Sequence, residues 1–374
     1  MNRRSFLTTL AAPAFAGAQA TETGFTSLFD SKTLNGWSVR EGPESAFFVD
    51  KGDIVVTDSA NFPTWLRTDK QYENFDFRCE FFVKGWINSG IYIHAPEHGR
   101  NAESGMKINI FHKQDTKMLP ESMGSVFPLV PPLKVTVKNR AEWNSMRILM
   151  DWPQLRVWVN DEIVQELDVE SVPDLKHRLR TGYIGLESLS YPIRFRNLRV
   201  KELPSKDRRW ESLYESPSDF AKWEVADGKA LWTTLGGVLR SDGLGHLRTK
   251  EEYRDFKLQL YLRASRHSNG GVLFRAKGSG PQTHYEIQVH DVEGAVYPTG
   301  SLYGYKRALY PKISAEEWFL MQLVVKDTNC LVRINGENVC EYSNLEILDP
   351  GHIMLQAHQT GRWLEYKHIR LQRI

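Results

Sequence analysis

The sequence repeats itself once along its length. Tyr72-Glu73-Asn74-Phe75 returns as Tyr253-Arg254-Asp255-Phe256, and Asn88-Ser89-Gly90 returns as Asn269-Gly270-Gly271, both 181 positions on. Glu142-Trp143 returns as Glu317-Trp318 and Asn160-Asp161 as Asn335-Gly336, both 175 positions on. Near the starts, Leu28-Phe29-Asp30 with Trp37 matches Leu213-Tyr214-Glu215 with Trp223. Near the ends, Phe195-Arg196-Asn197-Leu198-Arg199 matches Tyr366-Lys367-His368-Ile369-Arg370. The order is kept and the offset drifts slowly, as small loop insertions produce. One fold is therefore written twice. The first copy runs from Phe25 to Leu203 and the second from Trp210 to Ile374, with a short polar linker, Pro204-Ser205-Lys206-Asp207-Arg208, between them. A chain of 374 residues gives each copy an ordinary domain's length.

Each copy reads as strands. Phe75, Phe77, Cys79, Phe81 and Val83 alternate with Asp76, Arg78, Glu80 and Lys84, and Phe256, Leu258, Leu260 and Leu262 alternate with Lys257, Gln259, Tyr261 and Arg263. A period of two marks strands with one buried face. Asn335-Gly336 is a hairpin signal, and a similar turn falls at Asn160-Asp161. No long 3.6-residue period competes in either mature copy. Many short antiparallel strands predict an all-β sandwich or jelly roll in each copy.

The first twenty residues stand apart. Arg3-Arg4-Ser5-Phe6-Leu7, a weakly apolar stretch from Leu7 to Ala16, and Ala18-Gln19-Ala20 resemble a twin-arginine export signal with its cleavage site. The apolar stretch is too short to span a bilayer, and no later segment is apolar enough. The expectation is a protein exported to the periplasm or secreted. The net charge of +2 gives no reason to expect nucleic acid. Eleven Trp fit a β core and sugar stacking alike. The three cysteines, Cys79, Cys330 and Cys340, are an odd number. A two-residue loop at Asn335-Gly336 sets Cys340 against Leu331 and so puts Cys330 and Cys340 on opposite faces, and no disulfide is expected.

The motifs resemble a known family. Phe29-Asp30, Leu34-Asn35-Gly36-Trp37, Asn88-Ser89-Gly90-Ile91-Tyr92-Ile93, Glu142-Trp143-Asn144 and Phe195-Arg196-Asn197-Leu198-Arg199-Val200 carry the likeness in the first copy. Asn269-Gly270-Gly271, Tyr285-Glu286-Ile287-Gln288-Val289, Thr299-Gly300-Ser301-Leu302-Tyr303-Gly304 and Glu317-Trp318 carry it in the second. Each copy is similar to the 3-keto-disaccharide hydrolase domain, which has a concanavalin-A-like lectin/glucanase jelly-roll fold. The resemblance implies an exported enzyme acting on glycosides already oxidised at the sugar 3-position. A C3 ketone acidifies the C2 proton, so a base removes it, the C1 substituent leaves, and water adds to the enone. That chemistry needs a general base, a donor to the developing enolate oxygen and sugar-binding polar groups. It needs no cofactor. No Gly-rich dinucleotide fingerprint is present, so the oxidation falls to a separate sugar 3-oxidoreductase.

The second copy is the better candidate for the site. In Tyr285-Glu286-Ile287-Gln288-Val289-His290 the apolar residues share one face, and Glu286, Gln288 and His290 share the other. Gln356 and His358 share a face of a second strand, and Arg275 is placed beside them by the same alternation. The catalytic candidates are Glu286 and His358. Gln288, Arg275, His290, Gln356 and the loop aromatics Tyr303 and Tyr305 are candidates to bind substrate. The first copy has Lys107 in place of Glu286, Asn109 in place of Gln288, Glu187 in place of Gln356, Leu189 in place of His358 and His94 in place of Arg275, which reads as a degenerate site. The Glu286 strand is also similar to the paired-carboxylate strand of family 16 retaining glucanases. It departs at Gln288, and Asp291 falls on the opposite face, so a double displacement between two carboxylates is disfavoured. No metal is expected, because His284 and His290 span roughly 20 Å at about 3.4 Å per residue. The residues leave a second reading open, a non-catalytic carbohydrate-binding or adhesion protein using the same concave face.

Overall fold

The structure, a computed structural model, describes residues 23–57, 64–112, 117–206, 210–280, 282–309 and 313–374. The export signal, and Asp207 and Arg208 of the linker, lie outside the described residues. Among the described residues the α-helix Asn101–Ser104 is a single turn, and strands make up most of the rest. No helix among them is long and apolar enough to cross a membrane.

Four sheets form two sandwiches. The first has an eight-stranded sheet around Asn74–Val83 and Ile193–Leu203, facing a six-stranded sheet. The narrow sheet runs Trp37–Arg40, Thr64–Tyr72, Gly182–Ser188, Ile87–Ala95, Met106–His112 and Val126–Phe127. The second sandwich has an eight-stranded sheet around Phe256–Ala264 and Leu364–Arg373. Its five-stranded partner runs Trp223–Gly228, Gly245–Tyr253, Gly351–Ala357, Asn269–Ala276 and Tyr285–His290. The strand orders correspond, and the narrow sheet of the second sandwich has one edge strand fewer.

The alternation decides which faces meet. Phe75, Phe77, Phe81, Phe256, Leu258 and Leu260 are all buried between sheets. Their polar neighbours stay on the outer face, where Asp76 pairs with Arg78 at 3.0 Å and Arg147 at 2.8 Å. Asn335 and Gly336 both take positive φ, 48° and 86°, as a two-residue hairpin turn requires. A bulge just past that turn corrects one expectation. Val332, not Leu331, stands opposite Cys340, while Cys330 stands opposite Tyr342. The extra residue flips the parity, so both cysteines enter the same core. All three cysteines are free thiols.

The sandwiches meet through a loop of the first and the broad sheet of the second. The Glu97 amide donates to the Tyr261 hydroxyl at 2.8 Å, and Lys367 and His368 reach the Glu97 carboxylate at 2.8 and 3.0 Å. His98 stacks on Trp318. The His177 carbonyl accepts from Arg333 at 2.5 Å and from Gln322 at 3.0 Å.

Candidate functional site

The narrow sheet of each sandwich turns one face to its core and the other outward. In the second sandwich Tyr285, Ile287 and Val289 enter the core. Glu286, Gln288 and His290 therefore point outward. Strand register places His246, Gln356, Gly271 and Gln288 in one row across four strands. Neighbouring strands stand about 4.8 Å apart.

Glu286 leans across this row. A Cβ on Gly271 would fall 2.7 Å from the Glu286 Cγ, so only the missing side chain leaves room for it. Glu286 is 7% exposed, and its Oε1 has no hydrogen-bond partner. Burial without a compensating cation pushes its pKa up to about 7. Gln288 is held by its amide, which donates to Asn269 Oδ1 at 2.6 Å. His290 donates through Nδ1 to the Ser268 carbonyl at 3.2 Å. The loop after this strand closes the edge. The Tyr303 amide donates to the Glu286 carbonyl at 2.9 Å, and buried Leu302 pairs with Ile287. Alternation then turns Tyr303 to the outward side, where it contacts Tyr297 and is 53% exposed.

His358 follows the strand Gly351–Ala357 directly and continues the outward positions of Met354 and Gln356. It shares the face with Glu286 but is exposed, and its strand is separated from that of Glu286 by Asn269–Ala276. Two expectations need correction. Arg275 does not line this face. A bulge between Leu273 and Ala276, with Arg275 at φ 48°, turns the side chain into the interior, where it is 0% exposed. There it donates to the Arg254 and Ile347 carbonyls, both at 2.9 Å, and pairs with Asp255 at 2.9 Å. Its role is to tie strand ends together. Tyr305 is the other. It packs on Tyr285 and Tyr342 at the edge of the core rather than on the outward face.

Sequence reasoning missed His246 and Asp227. His246 Nδ1 donates to Asp227 Oδ1 at 2.7 Å, and the Ser279 hydroxyl holds the other carboxylate oxygen at 2.5 Å. His246 Nε2 lies 3.3 Å from the Gln356 amide. The available signal was the match of His246-Leu247-Arg248-Thr249 to Trp65-Leu66-Arg67-Thr68, which puts an imidazole where the first copy has an indole. Asp227 had no such signal, because a bulge after Val225 is what sets it opposite His246.

The first sandwich answers the same positions differently. Lys107 leans over Gly90, whose Cβ would lie 2.9 Å from the lysine Cγ. Its ammonium pairs with Glu187, and the Tyr92 hydroxyl donates to the same carboxylate. Asn109 donates to the Glu121 carbonyl at 2.5 Å. His94, at φ 50°, turns inward like Arg275 and bonds the Glu73 carbonyl at 2.6 Å. Lys107 and Tyr92 thus meet the Glu187 carboxylate, whereas Glu286 has no cation beside it and is left free to accept a proton.

Strand order and core together define a tandem jelly-roll protein of the concanavalin-A-like kind. The chain belongs to the 3-keto-alpha-glucoside-1,2-lyase-like domain family, whose model matches residues 24–201 and again 209–372. Among solved structures it is similar to a protein of Parabacteroides distasonis ATCC 8503 described as a glycosyl hydrolase. That likeness has 21% identity and a TM-score of 0.43, over 48% of this chain and 94% of that one. It is also similar to the carbohydrate-binding module CBM66 of Bacillus subtilis, with 12% identity and a TM-score of 0.33, over 45% and 96%. A prokaryotic beta-1,3-1,4-glucanase (lichenase) from a mouse hindgut metagenome shares 13% identity at a TM-score of 0.31, over 44% and 98%. No curated protein matches the chain by sequence.

Proposed function

We propose that this protein cleaves 3-keto-α-glucosides by eliminating the C1 substituent, with Glu286 as the base that takes the C2 proton. The observation that carries the reading is the Glu286 carboxylate itself, nearly buried, unpartnered at Oε1 and with its pKa raised to about 7. A base poised near the working pH combines the ionised form with enough basicity to abstract a proton from carbon. Gln288 and Gln356 flank it and supply amides to the sugar hydroxyls and the C3 oxygen. His358 and Tyr303 stand at the exposed margin, where they bind rather than transfer protons. The α-anomer and the lyase outcome follow the family's description. Hydration of the released enone completes a net hydrolysis. The ketone comes from a separate sugar 3-oxidoreductase, and the twin-arginine leader carries the protein to the periplasm or beyond.

The test is to incubate the mature protein with a 3-keto-α-glucoside and with the unoxidised glucoside, and to follow aglycone release. Release from the 3-keto sugar alone is expected. Glu286→Gln lowers it by about 10²-fold or more, the scale of losing general-base help. Wild-type rate rises with pH through about 7, because only the ionised carboxylate is a base. Equal cleavage of both sugars, or full activity in Glu286→Gln, overturns the reading. Binding of both sugars without release identifies a carbohydrate-binding protein instead.

A further inference from the structure

The elimination needs a second proton transfer that Glu286 cannot perform alone. It begins ionised and ends carrying the C2 proton, and the alkoxide that next leaves from C1 needs a proton of its own. The outward face holds a second titratable unit held by its neighbours, the pair Asp227–His246. Asp227 accepts the Nδ1 proton at 2.7 Å, which fixes the imidazole's tautomer and ring plane. Ser279 fixes Asp227 in turn at 2.5 Å. In the neutral ring Nε2 accepts from the Gln356 amide along the row at 3.3 Å, and it becomes a donor only when the ring is protonated. Gln356 pairs with Gly271, over which the Glu286 side chain lies. The carboxylate and the imidazole thus stand on either side of Gln356, their backbones separated by three strand spacings, about 14 Å, of which the Glu286 side chain spans one by lying over Gly271. The His246 side chain is 12% exposed, so solvent does not scatter it. In the first copy this position is Trp65, which can donate no proton in such a step.

We propose that His246, oriented by Asp227, is the general acid that protonates the leaving oxygen at C1. This rests on the reading of Glu286 as the base. In the step, the C2–H bond breaks to Glu286 and its electron pair forms the enolate with C3. The C3 carbonyl then re-forms, the C1=C2 double bond forms and the C1–O bond breaks. The departing oxygen takes the Nε2 proton of the imidazolium, whose charge Asp227 stabilises. The products are an enone and an alcohol, with no oxidation or reduction. Glu286 returns its proton to solvent and His246 takes one back.

The test separates leaving groups. Methyl 3-keto-α-glucoside expels methoxide and needs an acid; 4-nitrophenyl 3-keto-α-glucoside expels a stable phenolate and does not. His246→Gln is expected to lower release of methanol by about 10²-fold or more, and of nitrophenol by less than about tenfold. Added imidazole restores part of the methanol release. Asp227→Asn, which keeps the imidazole, shows the same split at smaller size and serves if His246→Gln fails to fold. Glu286→Gln loses both substrates alike. Equal losses on the two substrates in the His246 and Asp227 variants, or unchanged methanol release, overturn the general acid while leaving the base intact. A wild-type protein that releases neither aglycone overturns the base reading and the general acid with it.

Discussion

Two rows of residues occupy the same place in the two sandwiches. In the first it reads Trp65, Glu187, Gly90, Asn109, and in the second His246, Gln356, Gly271, Gln288. A long side chain from the next row leans over the glycine in both, Lys107 in one and Glu286 in the other. The backbone requirement is shared, yet the electrostatics are opposite. Lys107 meets a carboxylate at once, and the pair closes on itself with side chains 4% and 7% exposed. Glu286 meets no cation and keeps an orphan oxygen. A charge that has been neutralised by a neighbour is a structural element. A charge left unneutralised under burial is a cost that persists where function uses it.

The sharpest way to break this comparison is to open the first pair. Lys107→Met leaves Glu187 buried with only the Tyr92 hydroxyl beside it. Breaking one side of a buried ion pair costs about 3–5 kcal/mol. Urea unfolding of the full chain at pH 7 should show that loss in the first sandwich, and Lys107→Met with Glu187→Met together should recover most of it. A loss below about 1 kcal/mol in the single variant means the pair is solvated, and the contrast between the copies falls.

The second sandwich should respond with the opposite sign. The Glu286 pKa is raised by burial, so the folded state disfavours the ionised form. The group imposes no penalty below its ordinary pKa of 4.5, and the penalty grows as pH rises through about 7. Each pKa unit corresponds to about 1.4 kcal/mol, so the full penalty is up to about 3 kcal/mol. Glu286→Gln should therefore leave stability unchanged at pH 4 and raise it at pH 8.5, read as a pH-dependent shift in Tm. A variant that stabilises equally at both pH values shows that shape, not charge, is at work.

Much of this contrast is legible in the sequence. Alternation placed Phe75 and Phe256 inside and Glu286 and Lys107 at equivalent outward positions, because a period of two fixes the face wherever a strand runs unbroken. It failed where strands do not run unbroken. Arg275 and Cys340 both sit beyond a bulge, and one extra residue reverses the parity of all that follows. The Asp227–His246 contact was hidden for the same reason, since its register depends on a bulge. Partner identity is a matter of side-chain reach, which is why the Lys107–Glu187 closure and the isolation of Glu286 appear only in three dimensions.

The glycines under the two long side chains give a smaller and more discriminating test. Gly90→Ala crowds Lys107, and Gly271→Ala crowds Glu286 at Cγ, Oε1 and Cδ. Overpacking at such sites costs about 1–3 kcal/mol in either copy. The comparison predicts equal destabilisation by thermal unfolding, while aglycone release falls in Gly271→Ala alone. A matching fall in Gly90→Ala would assign chemistry to the first sandwich.

The interface between the sandwiches supplies a third electrostatic solution, and its pH response is the smallest of the set. Burial works against a charged His368, but hydrogen bonds to Glu215 at 2.6 Å and Glu97 at 3.0 Å, with both charges behind them, outweigh it and push its pKa up to about 9. Lys367 and His98 also face Glu97, and Arg370 faces Glu215 at 3.7 Å. A pKa raised in the folded state gives stabilisation that is complete below the ordinary value of 6.5 and is lost as pH rises through about 9. The His368 side chain is 30% exposed, so solvent screening reduces the effect to about 1 kcal/mol. His368→Gln should flatten the decline of Tm between pH 6.5 and 9 and leave the decline between pH 4.5 and 7 in place. Glu286→Gln should do the reverse, because the carboxylate and the imidazole titrate in adjoining windows and sit in different parts of the molecule. If either variant removes both declines, the two sites are coupled through the interface, and the second sandwich cannot be treated as electrostatically independent of the first.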